Sequence, residues 1–219
     1  MKSKWVRHLA ILSAAIALTG CASFRNNEVA EVTSLPDVSQ YQNKPSVFVE
    51  VLFLRGETGG VASELPAAKP EAQEIVGKVL GDSGLFSKYS FNNVDKQTAD
   101  YTLHVSVHNH GNTPLAIISG FISGLTFALV PGAATDNYTL TAKLIDNTGA
   151  VISETANTDS ITTWIGWFLI PAASNTPAKA FSQTVGNQLK AILNEWVESG
   201  KLKYSQIPSH MTLHRFARR

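Results

Sequence analysis

Residues 101–107 read Tyr101-Thr102-Leu103-His104-Val105-Ser106-Val107. The strict alternation puts Tyr101, Leu103, Val105 and Val107 on one side of an extended chain and Thr102, His104 and Ser106 on the other. One side belongs against a core and the other in water. Toward the amino terminus, residues 47–54 (VFVEVLFL) are apolar on both sides except at Glu50, as in a strand central in a sheet or covered on both faces. The glycine-rich residues 56–60 end it. From about Pro70 the residues Ala72, Ile75, Val76, Val79 and Leu80 recur at helical spacing, with proline at a first helical position and Gly84 as the stop.

Toward the carboxyl terminus, Tyr138, Leu140, Ala142 and Leu144 repeat the period of two. Asp146-Asn147-Thr148-Gly149 supplies turn residues, and residues 151–158 return as a partner strand, so this stretch predicts a hairpin. Thr176-Pro177, a capping residue followed by proline, opens a second helix carrying Phe181, Val185, Leu189, Ile192 and Trp196 on one stripe until Gly200. This order predicts an α+β domain over residues 46–200: a four-stranded, largely antiparallel sheet with two amphipathic helices packed on one face.

Residues 1–20 have another character. Lys2, Lys4 and Arg7 precede a charge-free apolar run over residues 9–18, the layout of a secretion signal. That run is far shorter than the roughly 20 residues a membrane-spanning helix needs. Leu18-Thr19-Gly20-Cys21 follows and resembles the lipobox of bacterial lipoproteins at all four positions. The resemblance implies cleavage before Cys21, a diacylglycerol and an acyl chain such as palmitate on that residue, and anchoring in a membrane. Ala22, where the family's alternative is Asp, implies export to the outer membrane with the domain facing the periplasm. An ordinary cleaved signal followed by an unrelated cysteine is the competing reading. Cys21 is the one cysteine in the chain, so an internal disulfide cannot form.

Of the 18 Lys plus Arg and 17 Asp plus Glu, the signal takes three cations and no acid, leaving a formal charge of −2. This balance offers no electrostatic footprint for nucleic acid. Residues 21–45 are polar, contain Pro36 and show no apolar period, and are read as the lipidated cysteine with a flexible tether. Residues 201–219 close on His214-Arg215-Phe216-Ala217-Arg218-Arg219 and are read as a mobile basic tail.

Two stretches stand apart. Residues 114–132 (PLAIISGFISGLTFALVPG) hold no charge, and residues 164–171 (WIGWFLIP) are a second apolar run. If the strands at 101, 138 and 151 pair in sequence order, chain direction brings both stretches to the same end of the sheet. Indole rings at Trp164 and Trp167 suit an interface that is apolar on one side and wet on the other. Phe121 is a candidate contact residue, and Gly120 and Gly124 have the small-xxx-small spacing of closely packed helices. The same residues serve equally as core packed back on the domain.

Catalytic signals are missing. His104, Ser106, His108 and His110 share the polar side of one strand. A His-x-His pair can present two zinc ligands, but a site needs a third and the sequence names none. No nucleophile elbow, phosphate-cradling loop or paired-cysteine knuckle occurs. No enzymatic activity, cofactor or metal is expected.

The runs ADYTLHV, SGLTFALVPG, DNYTLTAKLIDNTG and DSITTW, between Ala99 and Pro171, resemble a group of small, functionally unassigned lipoproteins of Gram-negative bacteria. A looser similarity of layout is to the periplasmic domains of the curli-secretion and penicillin-binding-protein-activating lipoproteins, and implies roles in assembly or partner binding. The expectation is therefore a non-enzymatic, lipid-anchored envelope protein. It would bind a protein partner or its own copies through residues 114–132 and 164–171; the alternative is a periplasmic carrier of lipid or another amphiphile.

Overall fold

The structure, a computed structural model, describes residues 20–56, 60–111, 131–172 and 174–204. Among them, seven strands form one mixed sheet: β1 (Gly20–Arg25), β2 (Ser46–Arg55), β3 (Ser63–Glu64), β4 (Lys88–Ser90), β5 (Tyr101–Asn109), β6 (Gly132–Asp146) and β7 (Val151–Gly166). Their order is β1-β7-β6-β5-β2-β3, with β4 also beside β2. Among the described residues two α-helices accompany the sheet, α1 (Lys69–Ser83) and α2 (Pro177–Glu198).

This corrects the expectation of a four-stranded, largely antiparallel sheet. β2 runs parallel to both β5 and β4, because α1 carries the chain back across the sheet before β5 begins. β3 and β4 are two and three residues long, too short to show a period. β1 lies inside the segment read as a tether, and it pairs with β7 along all six of its residues.

Both helices belong to the core on one side of the sheet. Val47, Val49, Val51 and Phe53 of β2, Leu103, Val105 and Val107 of β5, and Leu140, Ala142 and Leu144 of β6 pack against Ile75, Val76 and Leu80 of α1 and Val185, Leu189, Ile192 and Trp196 of α2. The capping signals act as their chemistry dictates. The Thr176 hydroxyl accepts from Lys179 N at 3.2 Å, and Gly84 ends α1 with a left-handed φ of 61°. The β6–β7 hairpin turns where the Asp146 carboxylate accepts from Thr148 N and Ala150 N, both at 2.9 Å. The opposite side of the sheet is mostly wet. Phe48 is covered there, with Lys96 Nζ 5.5 Å from its ring centroid, while Leu52 is exposed.

Residues 26–45 are not free either. Val38 is buried in the core, and Leu35 and Tyr41 pack against it. At the other end, Leu202 is buried and Tyr204 stacks on Tyr41 at 5.2 Å between ring centroids, so the first residues assigned to the tail join the same core. The remainder of that tail, residues 205–219, lies outside the described residues.

Candidate functional site

The β5–β6–β7 pairing follows sequence order. β5 stops at Asn109, opposite Tyr138, whereas β6 begins six residues earlier at Gly132, opposite Ile165. At about 3.3 Å per residue, the hairpin base therefore extends roughly 20 Å beyond β5. β1 pairs along this extension and makes it three strands wide, with Cys21 opposite Ile165 and Ala22 opposite Trp164.

Polar groups hold β1 in place. Ser23 Oγ and Thr163 Oγ1 are hydrogen-bonded at 2.7 Å, and Ser23 N donates to Asn175 O at 2.7 Å. Arg25 Nη2 lies 3.9 Å from Asp159 Oδ2, both side chains being largely or fully buried. Asp159 Oδ1 accepts from Glu28 N and Ser160 N. Farther along, Asn187 of α2 clasps the chain as it leaves β1: its Oδ1 accepts from Val32 N at 2.8 Å, and its Nδ2 donates to Val29 O and Ala30 O. The chain is strapped across α2.

Among the described residues, the far end of this extension is apolar. Cys21 is an exposed free thiol. Phe24, Trp164 and Ile165 are 40%, 39% and 43% exposed. By register Ile165 shares a side of the sheet with Cys21, and Trp164 shares the other with Ala22 and Phe24, so apolar groups emerge on both sides of one end. No charged residue occurs in residues 20–24, 132–135 or 160–166.

The sequence-expected contact residues fare differently. Cys21 and Trp164 come together at this end. Trp167 begins a 3-10 helix, Trp167–Ala172, directly after β7. Gly120, Phe121 and Gly124 lie outside the described residues, as do residues 114–130. Sequence reasoning missed Phe24, an isolated aromatic in a polar segment, and assigned Ile165 no role of its own.

The histidine row is dispersed. His104 Nδ1 is 2.8 Å from Glu50 Oε2, and Lys96 Nζ lies 2.6 Å from the same carboxylate's other oxygen. His108 and His110 stack, with ring centroids 6.1 Å apart, and His110 Nε2 bonds Thr139 Oγ1 at 3.1 Å. Burial first, and the neighbouring His110 second, hold His108 below the ordinary histidine value of 6.5. Where β6 leaves β5 behind, burial and then Asp136 push the Tyr138 hydroxyl up to about 12. Among the described residues, no three His, Cys, Asp or Glu side chains gather as a metal site would require.

No protein-family model and no curated protein matches the chain. Among solved structures, the PelC dodecamer from Paraburkholderia phytofirmans is similar at 17% identity and a TM-score of 0.37, covering 80% of this chain and 97% of that one. A variant of the same PelC dodecamer matches at 16% identity and 0.38, covering 78% and 97%. A minor lipoprotein from Acinetobacter baumannii matches at 14% identity and 0.38, covering 75% and 98%. What those proteins assemble into is a property of theirs, and the site described above stands on this chain's own residues.

Proposed function

We propose that this chain is a non-enzymatic envelope lipoprotein, anchored in the outer membrane through lipid on Cys21, with its domain in the periplasm. It acts by contact, engaging a protein partner or further copies of itself through the apolar segments 114–132 and 164–171. The observation that carries this reading is the position of Cys21: the residue that the lipobox-like motif marks for acylation is an exposed thiol at the same end as the exposed Trp164 and Ile165.

An amphiphile carrier has less support. A cleft of about 240 Å³ between the helices is lined by Val32, Ile75 and Val79 together with Arg25, Lys78 and Lys190, so that its walls are mixed, and a groove of about 350 Å³ on the open side of the sheet by His104, Lys143 and Glu154 among others. Acyl chains require predominantly apolar walls. A pull-down of the lipidated protein from detergent-solubilised envelopes, with the mass of the unlipidated domain measured in parallel, tests the reading. A stoichiometric protein partner or a defined oligomer is the expected result. A monomer that co-purifies with lipid alone would overturn it in favour of the carrier.

A further inference from the structure

The anchor and the exposed apolar end are one surface. In a chain that begins at Cys21, no residue intervenes between the lipid-bearing backbone and the folded sheet, because Cys21 is itself paired with Ile165. Adjacent strands lie about 5 Å apart, so the acylated residue and Ile165 are immediate neighbours. The domain cannot swing away on the residues that follow. Arg25 and Asp159, the Asn26 and Glu28 bonds to Ser160, and the Asn187 clasp fix them to β7 and α2.

Resting on the anchoring half of the proposed function, and taking Trp164 and Ile165 out of the segment 164–171 assigned there to protein contact, we infer that Trp164, Ile165 and Phe24 form a docking surface for the lipid bilayer itself, so that the protein stands end-on upon the membrane that holds its acyl chains. Three observations select lipid as the occupant. Exposed apolar side chains emerge on both sides of the sheet at one end, which suits insertion of an end better than contact by a face. The strand ends bearing them carry no charge over residues 20–24, 132–135 and 160–166, so bringing them to the headgroup layer strips water from no ionised group. Cys21 is placed beside them, and acylation there would hold this surface at the bilayer.

Depth follows from the backbone. Among the described residues β1 ends the sheet order; Ser23 N has its partner in Asn175 O, and any edge group left without a partner is costly in hydrocarbon. The contact therefore lies at the headgroup level, where an indole with one wet side is at home.

The test uses the lipidated full-length protein carrying Trp167→Phe, which leaves Trp164 and the buried Trp196 as the indoles of the processed chain. It is reconstituted in phosphatidylethanolamine and phosphatidylglycerol vesicles doped with brominated phosphatidylcholine. Expected are co-flotation with the vesicles, a blue shift of the emission, and quenching by the brominated lipid that disappears when Trp164→Phe is added. As a second probe, Ile165→Cys should react with a water-soluble maleimide in detergent-free unlipidated protein that also carries Cys21→Ser, and should become protected in the lipidated protein on vesicles. Flotation without quenching or protection overturns this inference while leaving the anchoring reading intact. Failure to float overturns both. Protection of position 165 in the unlipidated protein without vesicles, accompanied by a dimer or larger species, assigns the surface to a second copy and also overturns the inference.

Discussion

Cys21 lies directly across the β1–β7 ladder from Ile165. The residue that the lipobox-like motif marks for acylation is thus part of the sheet, and the strap that follows it is fastened to α2 through Asn187. The fold and the residue proposed as anchor are continuous, which makes the strength of that fastening measurable.

Asn187→Ala removes the acceptor of Val32 N and the donor to Val29 O and Ala30 O. Leaving such groups unpaired should cost about 1–3 kcal/mol. Hydrogen exchange should accelerate at β1 amides and remain slow in β5. Unchanged β1 exchange would show that the strap does not depend on this side chain.

Trp196 is fully buried beneath the sheet, and its Nε1 donates to Thr155 Oγ1 at 3.0 Å. Trp196→Ala should destabilise the domain by about 3–5 kcal/mol through the cavity it leaves. Chemical denaturation of the unlipidated domain measures this, and an unshifted midpoint contradicts the assignment of the α2 core face.

Arg25 and Asp159 are buried partners. Arg25→Met leaves the carboxylate without its counter-charge and should cost about 3–5 kcal/mol, whereas the double change Arg25→Met with Asp159→Leu should recover much of it. A double-mutant cycle showing simple additivity would mean that the 3.9 Å pair contributes no coupling.

The depressed His108 value carries a sign. The unfolded chain takes up a proton near the ordinary 6.5 and the native protein only at lower pH, so this residue's contribution is full above pH 6.5 and declines as pH falls below it. Thermal unfolding compared between pH 7.5 and pH 5 should show a smaller loss for His108→Gln than for wild type. Equal losses would locate the acid sensitivity elsewhere.

The legible parts of the fold are those whose burial leaves a period. Ile75, Val76 and Leu80, the Leu103–Val105–Val107 alternation and the Asp146–Gly149 turn act as read, because each places apolar groups on one side or supplies the turn its chemistry favours. β1 was illegible because Ser23, Arg25 and the residues after it are held by a hydroxyl pair, a buried ion pair and amide bonds, none of which produces a period. Composition alone made residues 21–45 look like a tether. The parallel β2–β5 pairing was missed because alternation reports a strand's faces and says nothing of its neighbours. At the site, Cys21 and Trp164 were readable from motif and chemistry, while Phe24 needed the β1–β7 register before it could be placed beside them.

Acylation of Cys21 is the claim on which the functional account turns, and mass spectrometry of the amino-terminal tryptic peptide from membrane-purified protein tests it most directly. Cleavage after Arg25 releases Cys21-Ala22-Ser23-Phe24-Arg25. The account predicts that this peptide begins at Cys21 and carries a diacylglyceryl group on sulfur and an acyl chain on its amino group. A peptide that continues through Gly20, or one that begins at Cys21 with an unmodified thiol, would contradict it.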